Sequence, residues 1–191
     1  MFAVVQNGNI VQLIQPDVAF VIGEKQYSAR FIRNATEAER KSVGVYEVIQ
    51  GTQQDQRFYW VTGPSYRVNE TNQTVEATYT ATPKALEDRL ETKEDGTPLF
   101  VQTYNAQTQQ MEDTTEQVVT KGLKSQWIAQ TKAAANSALA ATDWMVIRKA
   151  ERNIDIPAEA AADRAKIIAD CTAKEAAIAA CTTVEQLMAV V

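Results

Sequence analysis

From Thr115 to the C-terminus the chain is alanine-rich and patterned at helical spacing, and this half constrains what the rest can become. Val119, Leu123, Trp127, Ala134, Ala138 and Ala141 recur every three to four residues, with Gly122 as a weak point. The small residues after Leu139 are read as the end of one helix. Thr142-Asp143 then opens a second, with Trp144 at its start and its end near Asn153. Ile154-Asp-Ile-Pro157 closes that helix, and Pro157 suits the first turn of a third because its missing N–H is not needed there. Ile167, Cys171, Ile178 and Cys181 mark the buried stripe of the third helix. Thr182-Thr-Val-Glu185 reads as a capping box for a last short helix through Leu187 and Met188. Alanine faces let helices approach closely but bury little area, at roughly 25 cal/mol per Å² of apolar surface. Such helices are expected to gain stability by packing on the rest of the chain or on a neighbouring subunit.

The first half reads as β. Phe2 to Gln6 and Asn9 to Gln15 flank Asn7-Gly8, a strong hairpin signal because both residues tolerate positive φ. Val18 to Ile22 and Gln26 to Ile32 flank Gly23-Glu24-Lys25, and Tyr27, Ala29 and Phe31 alternate with polar neighbours as in a half-buried strand. Thr36 and Glu39 fit a capping box for a short helix that Ser42-Val43-Gly44 stops. Val45 to Ile49 resumes the extended pattern. Arg57 to Thr62 is a dense aromatic strand turned by Gly63-Pro64, and strands continue at Tyr66 to Asn69 and Thr74 to Thr80. In the last of these, Val75, Ala77 and Tyr79 share a face. Pro83 marks a change of composition. Lys84 to Lys93 reads as a short helix or helical connector, Leu99 to Tyr104 as one more strand, and Asn105 to Asp113 as an exposed linker or long hairpin tip. The expected fold is α+β: an N-terminal β-rich unit of antiparallel hairpins (1–82), a connector with a hairpin (83–114), and a C-terminal Ala-rich helical segment (115–191).

Composition narrows the function. Of 191 residues, 45% are hydrophobic and 23% charged, which suits an ordered globular chain. The net charge of −5 argues against a general nucleic-acid binder, which needs a basic face to displace counterions. Histidine is absent, so the usual neutral-pH proton shuttle and the commonest nitrogen metal ligand are missing. Cys171 and Cys181 would lie about 15 Å apart on one helix, beyond disulfide reach, and are read as small buried apolar residues. No targeting segment or membrane span is seen, so synthesis and retention in a cytoplasm, or in a particle assembled there, are expected.

Little in the chain has the pattern of reaction chemistry. Glu87-Asp88, Glu94-Asp95 and Glu112-Asp113 are adjacent carboxylates, whereas a glycosidase needs two facing each other across a sugar. They are read as solvated acidic surface. There is no calcium-loop spacing, phosphate-cradling glycine loop or Gly-x-Ser-x-Gly elbow. Three Asn-x-Thr sequons, beginning at Asn34, Asn69 and Asn72, are taken as accidental without a secretion signal. Phe58-Tyr59-Trp60 could form a stacking platform, but in a strand Phe58 and Trp60 point one way and Tyr59 the other. The preferred reading fills the core with one face and meets a helix or partner with the other. Trp144, Arg148 and Arg164 surround the two expected helical breaks. Trp144 is read as plugging a helix junction, with the arginines paired to Glu151, Asp155 or Asp163, in preference to a dedicated ligand site.

Several of these residues occur in a familiar order. Thr36-Glu-Ala-Glu-Arg40, Gly44-Val-Tyr-Glu-Val48, Arg57-Phe-Tyr-Trp60, Lys124-Ser-Gln-Trp127, Ala141-Thr-Asp-Trp-Met-Val-Ile-Arg148, Ile156-Pro157, Arg164 and Thr183-Val-Glu-Gln-Leu187 follow one another. The chain resembles the small tail proteins of tailed bacteriophages, including those of the tail-fibre assembly and tail-fibre-associated type. The likeness runs from about Asn34 to the C-terminus, with the helical Thr-Asp-Trp and Ile-Pro portion its most specific part. It implies no catalytic residues and no cofactor or metal. It implies placement near a tail tip, baseplate or fibre, with fibre and baseplate subunits as partners, further copies of the chain as an additional candidate, and neither nucleic acid nor membrane. The reading taken forward is a structural virion component that joins tail proteins, with Phe58, Trp60, Trp127, Trp144, Arg148 and Arg164 as interface candidates. Its rivals are a fibre-assembly chaperone that leaves the particle, a wall-degrading hydrolase, and a host-surface sugar binder with exposed aromatic rings.

Overall fold

A computed structural model describes all residues, Met1–Val191. The chain is α+β, with sheet in its first half and long helices in its second. It divides into two compact units, Met1–Thr82 and Pro83–Val191.

The first unit contains β1 (Phe2–Gln6), β2 (Asn9–Ile14), β3 (Phe20–Ile22), β4 (Lys25–Tyr27), α1 (Phe31–Asn34), α2 (Glu37–Ser42), β5 (Val45–Gln50), β6 (Tyr59–Asn69) and β7 (Thr74–Pro83). Five strands form one sheet in the order β2-β1-β5-β7-β6, and β3 pairs with β4 alone. The pairs around β1 are antiparallel, while β5 and β7 run parallel. Asn7 and Gly8 both take positive φ (51° and 75°) and close the β1–β2 hairpin with Gln6 opposite Asn9. Gly44 (φ 77°) lies against β1. Its carbonyl accepts from the Val5 N–H at 2.7 Å, and a Cβ there would stand 2.6 Å from the Val5 carbonyl oxygen.

Apolar residues cover both faces of the sheet. Val4, Ile14, Phe20, Tyr27, Ile32 and Val45 form one cluster, and Ala3, Val5, Val48, Val75 and Ala77 the other. Strand β1 supplies both, since successive side chains point to opposite faces. The capping box forms as its sequence suggests: the Thr36 N–H donates to Glu39 Oε2 at 2.7 Å, and the Glu39 N–H donates to Thr36 Oγ1.

Two expectations in this unit are corrected. The strand through Ile32 stops at Tyr27, and Phe31 opens α1. Tyr27 and Phe31 are four residues apart, and both pack on Phe20. The Phe20 and Tyr27 rings stack at 5.1 Å, with Phe31 edge-on to each. This aromatic cluster requires the chain to turn between Tyr27 and Phe31, where the Phe31 N–H donates to the Ser28 carbonyl, so the alternation ends at Tyr27. Gly63-Pro64 does not end its strand, because β6 continues through to Asn69. β6 is an edge strand, where a residue without an N–H is tolerated.

The second unit contains β8 (Arg89–Leu90), β9 (Phe100–Asn105), β10 (Gln110–Gln117), β11 (Val119–Thr120), α3 (Leu123–Arg152), α4 (Ala158–Ala180) and α5 (Val184–Val190). β9 and β10 form the hairpin, with the Asn105 side chain accepting from the Gln107 N–H at 2.9 Å across its tip. The helix expected over Lys84–Lys93 is absent. That segment instead seals the N-terminus of α3. The Ala85 and Leu86 carbonyls accept from the Leu123 and Lys124 N–H groups, and Asp88 Oδ1 accepts from the Gly122 N–H at 2.8 Å. Helix therefore starts at Leu123 rather than Thr115. Val119 is a strand residue paired with Leu90, and Gly122 is the N-cap rather than a weak point inside the helix.

The break expected at Thr142-Asp143 is also absent: α3 is one helix of 30 residues, ended by Asn153 in the left-handed conformation. Thr142 returns its hydroxyl to the Leu139 carbonyl at 3.0 Å and Asp143 pairs with Arg164, so neither acts as a cap. Pro157 precedes α4 as expected. The last cap is displaced by one residue from the expected box: Thr183 accepts from the Gln186 N–H, and Gln186 Oε1 accepts from the Thr182 N–H at 2.7 Å.

Asp88 couples this architecture to pH. Hydrogen bonds from Ser125, the Gly122 N–H and Lys121 hold its carboxyl below the usual aspartate range. A depressed folded pKa stabilises the protein above the unfolded pKa and is lost as pH falls through the folded value. Thermal melts of Asp88→Asn and the parent chain should therefore differ most at neutral pH and converge as the solution is acidified below pH of about 4. A gap that widens in acid would contradict this.

Candidate functional site

Helices α3 and α4 run antiparallel, and their cross-links fix the register. Lys132 Nζ stands 3.1 Å from Glu175, Arg164 reaches Asp143 at 2.9 Å, and the Cys171 thiol approaches the Thr131 carbonyl. The seam on α3 is Thr131, Ala135, Leu139, Thr142 and Met145, all half-buried. Ala134, Ala138 and Ala141, expected on the packed stripe, are exposed. In the two helices together only Leu123 and Ile178 are buried, and both lie at the end shared with Cys181, Val184 and Leu187 of the α5 region. Toward the Asn153–Pro157 connection the pair has no buried side chain of its own.

That half of the pair holds three of the residues singled out from the sequence. Arg164 anchors the seam. Its guanidinium donates to the Leu139 carbonyl at 2.9 Å and to Thr142 Oγ1 at 2.6 Å, besides pairing with Asp143. Trp144 plugs no junction, because α3 has none there; it lies mid-helix and 52% exposed. The Arg148 guanidinium sits 4.8 Å from the Trp144 ring centroid, a cation–π distance. Arg148 Nε is buried and unpartnered. The expected pairs with Glu151, Asp155 and Asp163 do not form; Asp155 pairs with Lys149.

The other candidates lie elsewhere. Trp127 is half-buried on α3, about 25 Å along the helix from Trp144 at 1.5 Å per residue. Phe58 and Trp60 belong to the first unit. Phe58 precedes β6 in a turn, its N–H bonded to the Asp55 carbonyl at 3.0 Å, so strand alternation does not reach it. Phe58 is 2% exposed and Trp60 65%, on edge strand β6; the expectation that they share a side is corrected.

Exposed apolar side chains join Trp144 on the helical pair and its connection: Val146 and Ile147 on α3, Ile154 between the helices, and Ile168 on α4. Ile147 follows Trp144 by three residues, a spacing that places both on the side of α3 away from Leu139 and Met145. On the β9–β10 hairpin, Tyr104 and Met111 are direct cross-strand partners and both exposed.

Two titratable groups of the α3–α4 seam are paired locally. Lys132 and the Cys171 thiol hold Glu175 below the usual glutamate range, while burial, then Glu175, pushes the Cys171 thiol upward. A raised thiol pKa lowers the nucleophilic thiolate fraction. Cys181 is buried as expected, but Cys171 is half-buried and donates to Glu175 Oε1 at 3.3 Å. No three His, Cys, Asp or Glu side chains come together as a metal-binding group, and no helix is long and apolar enough to cross a membrane.

No family model matches the chain, and neither does any curated protein or solved structure.

Proposed function

We propose that the chain is a structural protein of a phage tail, a connector acting at the fibre or baseplate through protein–protein contacts. The observation that carries this reading is the α3–α4 pair, which with its connection leaves Trp144, Ile147, Ile154 and Ile168 exposed. Water-exposed tryptophan and isoleucine side chains on a marginally buried helix pair gain most when a neighbouring polypeptide covers them. The order of Thr142-Asp143-Trp144, Ile156-Pro157 and Thr183-Val-Glu-Gln-Leu187 supports a tail setting through its likeness to small tail proteins.

The test is quantitative composition of purified particles from cells in which this chain is expressed during infection. A connector is present in a fixed ratio to the other tail proteins. If the chain is abundant in the lysate and absent from the particles, it is a departing assembly chaperone and the proposal fails.

A further inference from the structure

Charge is not spread evenly along the chain. Residues 94–120 include five acids, Glu94, Asp95, Glu112, Asp113 and Glu116, and no lysine or arginine, so this stretch alone accounts for the net charge of −5. Three of the five lie on β10, and β9 carries no charge. The β9–β10 hairpin is a sheet of two strands, with no third strand on either side. In an antiparallel pair only half of each strand's N–H and C=O groups point at the partner strand, and the rest point outward. No backbone bond from elsewhere in the chain reaches residues 110–113, so the outward groups of β10 there are open. A two-stranded hairpin is marginal in water and gains stability from a third strand.

We propose that the open edge of β10 takes up an extended, lysine- or arginine-bearing segment of another protein as a third strand. The ladder sets the form of the occupant, since an extended backbone supplies donors and acceptors at strand spacing. Charge sets its composition. Glu112 and Asp113 project to opposite faces of the hairpin, so an added strand meets a carboxylate on either face. The Glu112 oxygens accept from neutral groups, Asn105 Nδ2 at 2.9 Å and Thr108 Oγ1 at 2.7 Å, which leave its charge in place. Asp113 accepts from Gln102 Nε2 at 3.0 Å and has Lys93 at 3.9 Å, a long ion pair, and Glu116 is exposed. Opposite charges on neighbouring strands stabilise a sheet, and like charges directly opposite destabilise it. A second copy is therefore the wrong occupant, because it would bring three more acids to the same edge. Met111, exposed on the face that it shares with Asp113 and Tyr104, offers an apolar contact to the stems of lysine side chains on the added strand.

The full chain is titrated against three fluorophore-labelled peptides, with binding read by anisotropy. The first is three repeats of Val-Lys-Lys-Thr. The second replaces every Val and Thr with Pro, keeping the charge but removing half of the backbone donors. The third replaces every Lys with Glu. The first should bind about tenfold or more tightly than either of the others, and hydrogen exchange should show it slowing the β10 amides. Glu112→Gln with Asp113→Asn and Glu116→Gln should weaken that binding about tenfold. Glu112→Lys with Asp113→Lys should turn the preference to the glutamate peptide, a gain that a misfolded hairpin would not give. Glu151→Gln with Glu159→Gln and Asp163→Asn removes the same charge from exposed positions of the helical half and should leave binding unchanged. Failure of the first peptide to bind, equal binding of the proline peptide, an equal loss in the helical variant, or a charge-reversed chain that still prefers lysine overturns the proposal. Strand uptake is separable from placement in a tail. A chain that takes up the lysine peptide and never enters particles sinks only the tail reading, and a particle-bound chain that ignores the peptide sinks only the strand uptake.

Discussion

Replacing Gly122 with alanine is expected to unfold the helical end of the second unit or lower its melting temperature severely. The Gly122 backbone (φ −73°, ψ 172°) is open to any residue, so the effect is not conformational strain. It is lack of room. A Cβ at this position would stand 2.4 Å from the Leu86 carbonyl oxygen and from the carbonyl carbon and oxygen of Glu87. All three are backbone atoms and cannot swing aside. Moving them breaks the bonds by which Ala85, Leu86 and Asp88 cap the first N–H groups of α3. Overpacking against backbone together with lost caps should cost about 3 kcal/mol or more. For a unit of this size that is a fall in melting temperature on the order of 10–20 °C. Helical circular dichroism followed through a thermal melt reads it directly, and an unchanged midpoint would mean that the 85–88 segment does not seal this helix.

Phe58→Ala is the second large effect, and its neighbour is its control. Phe58 is almost wholly buried, and Trp60, two residues on, is mostly exposed. Truncating a buried phenylalanine costs about 3–5 kcal/mol. The whole stability of a small unit is only about 5 kcal/mol at the low end of the usual range. Hydrogen exchange should therefore show the amides of β1, β5 and β7 losing most of their protection in Phe58→Ala. Trp60→Ala should cost clearly less, about 1 kcal/mol, because most of that side chain is exposed. Equal effects from the two substitutions would contradict the burial assigned to this turn.

Features set by a few adjacent residues were legible in the sequence. Asn7-Gly8 turns the first hairpin because both residues accept positive φ, and Thr36 with Glu39 caps α2 because their donors and acceptors are three residues apart. Pro157 before α4 is of the same kind. Features that depend on distant partners were not legible. Lys84–Lys93 has helix-forming residues, yet its carbonyls and the Asp88 carboxylate are taken by the N-terminus of α3, more than thirty positions away. Thr142-Asp143 has the chemistry of a cap, but one side chain bonds back within the helix and the other meets Arg164 of α4.

The exposed apolar surface was half legible for the same reason. Residue type alone picks out Trp144 and Trp60. Whether a ring is covered depends on where the helix begins and which strand lies at the edge. Ile147 emerges only once α3 is known to be continuous, because that continuity fixes which side of the helix faces α4; Ile168 emerges from which side of α4 faces α3. Phe58 was grouped with Trp60 by strand alternation, which fails where a turn bonded to Asp55 precedes the strand.

The most direct measurement is a density map of the intact tail with this chain traced in it. The rings and branched side chains now open to water, Trp144, Ile147, Ile154 and Ile168, should lie against other polypeptide in the particle, with the α3–α4 pair continuous with its neighbours. A map of the complete tail in which those side chains face solvent, or in which no density fits the chain, would contradict the account.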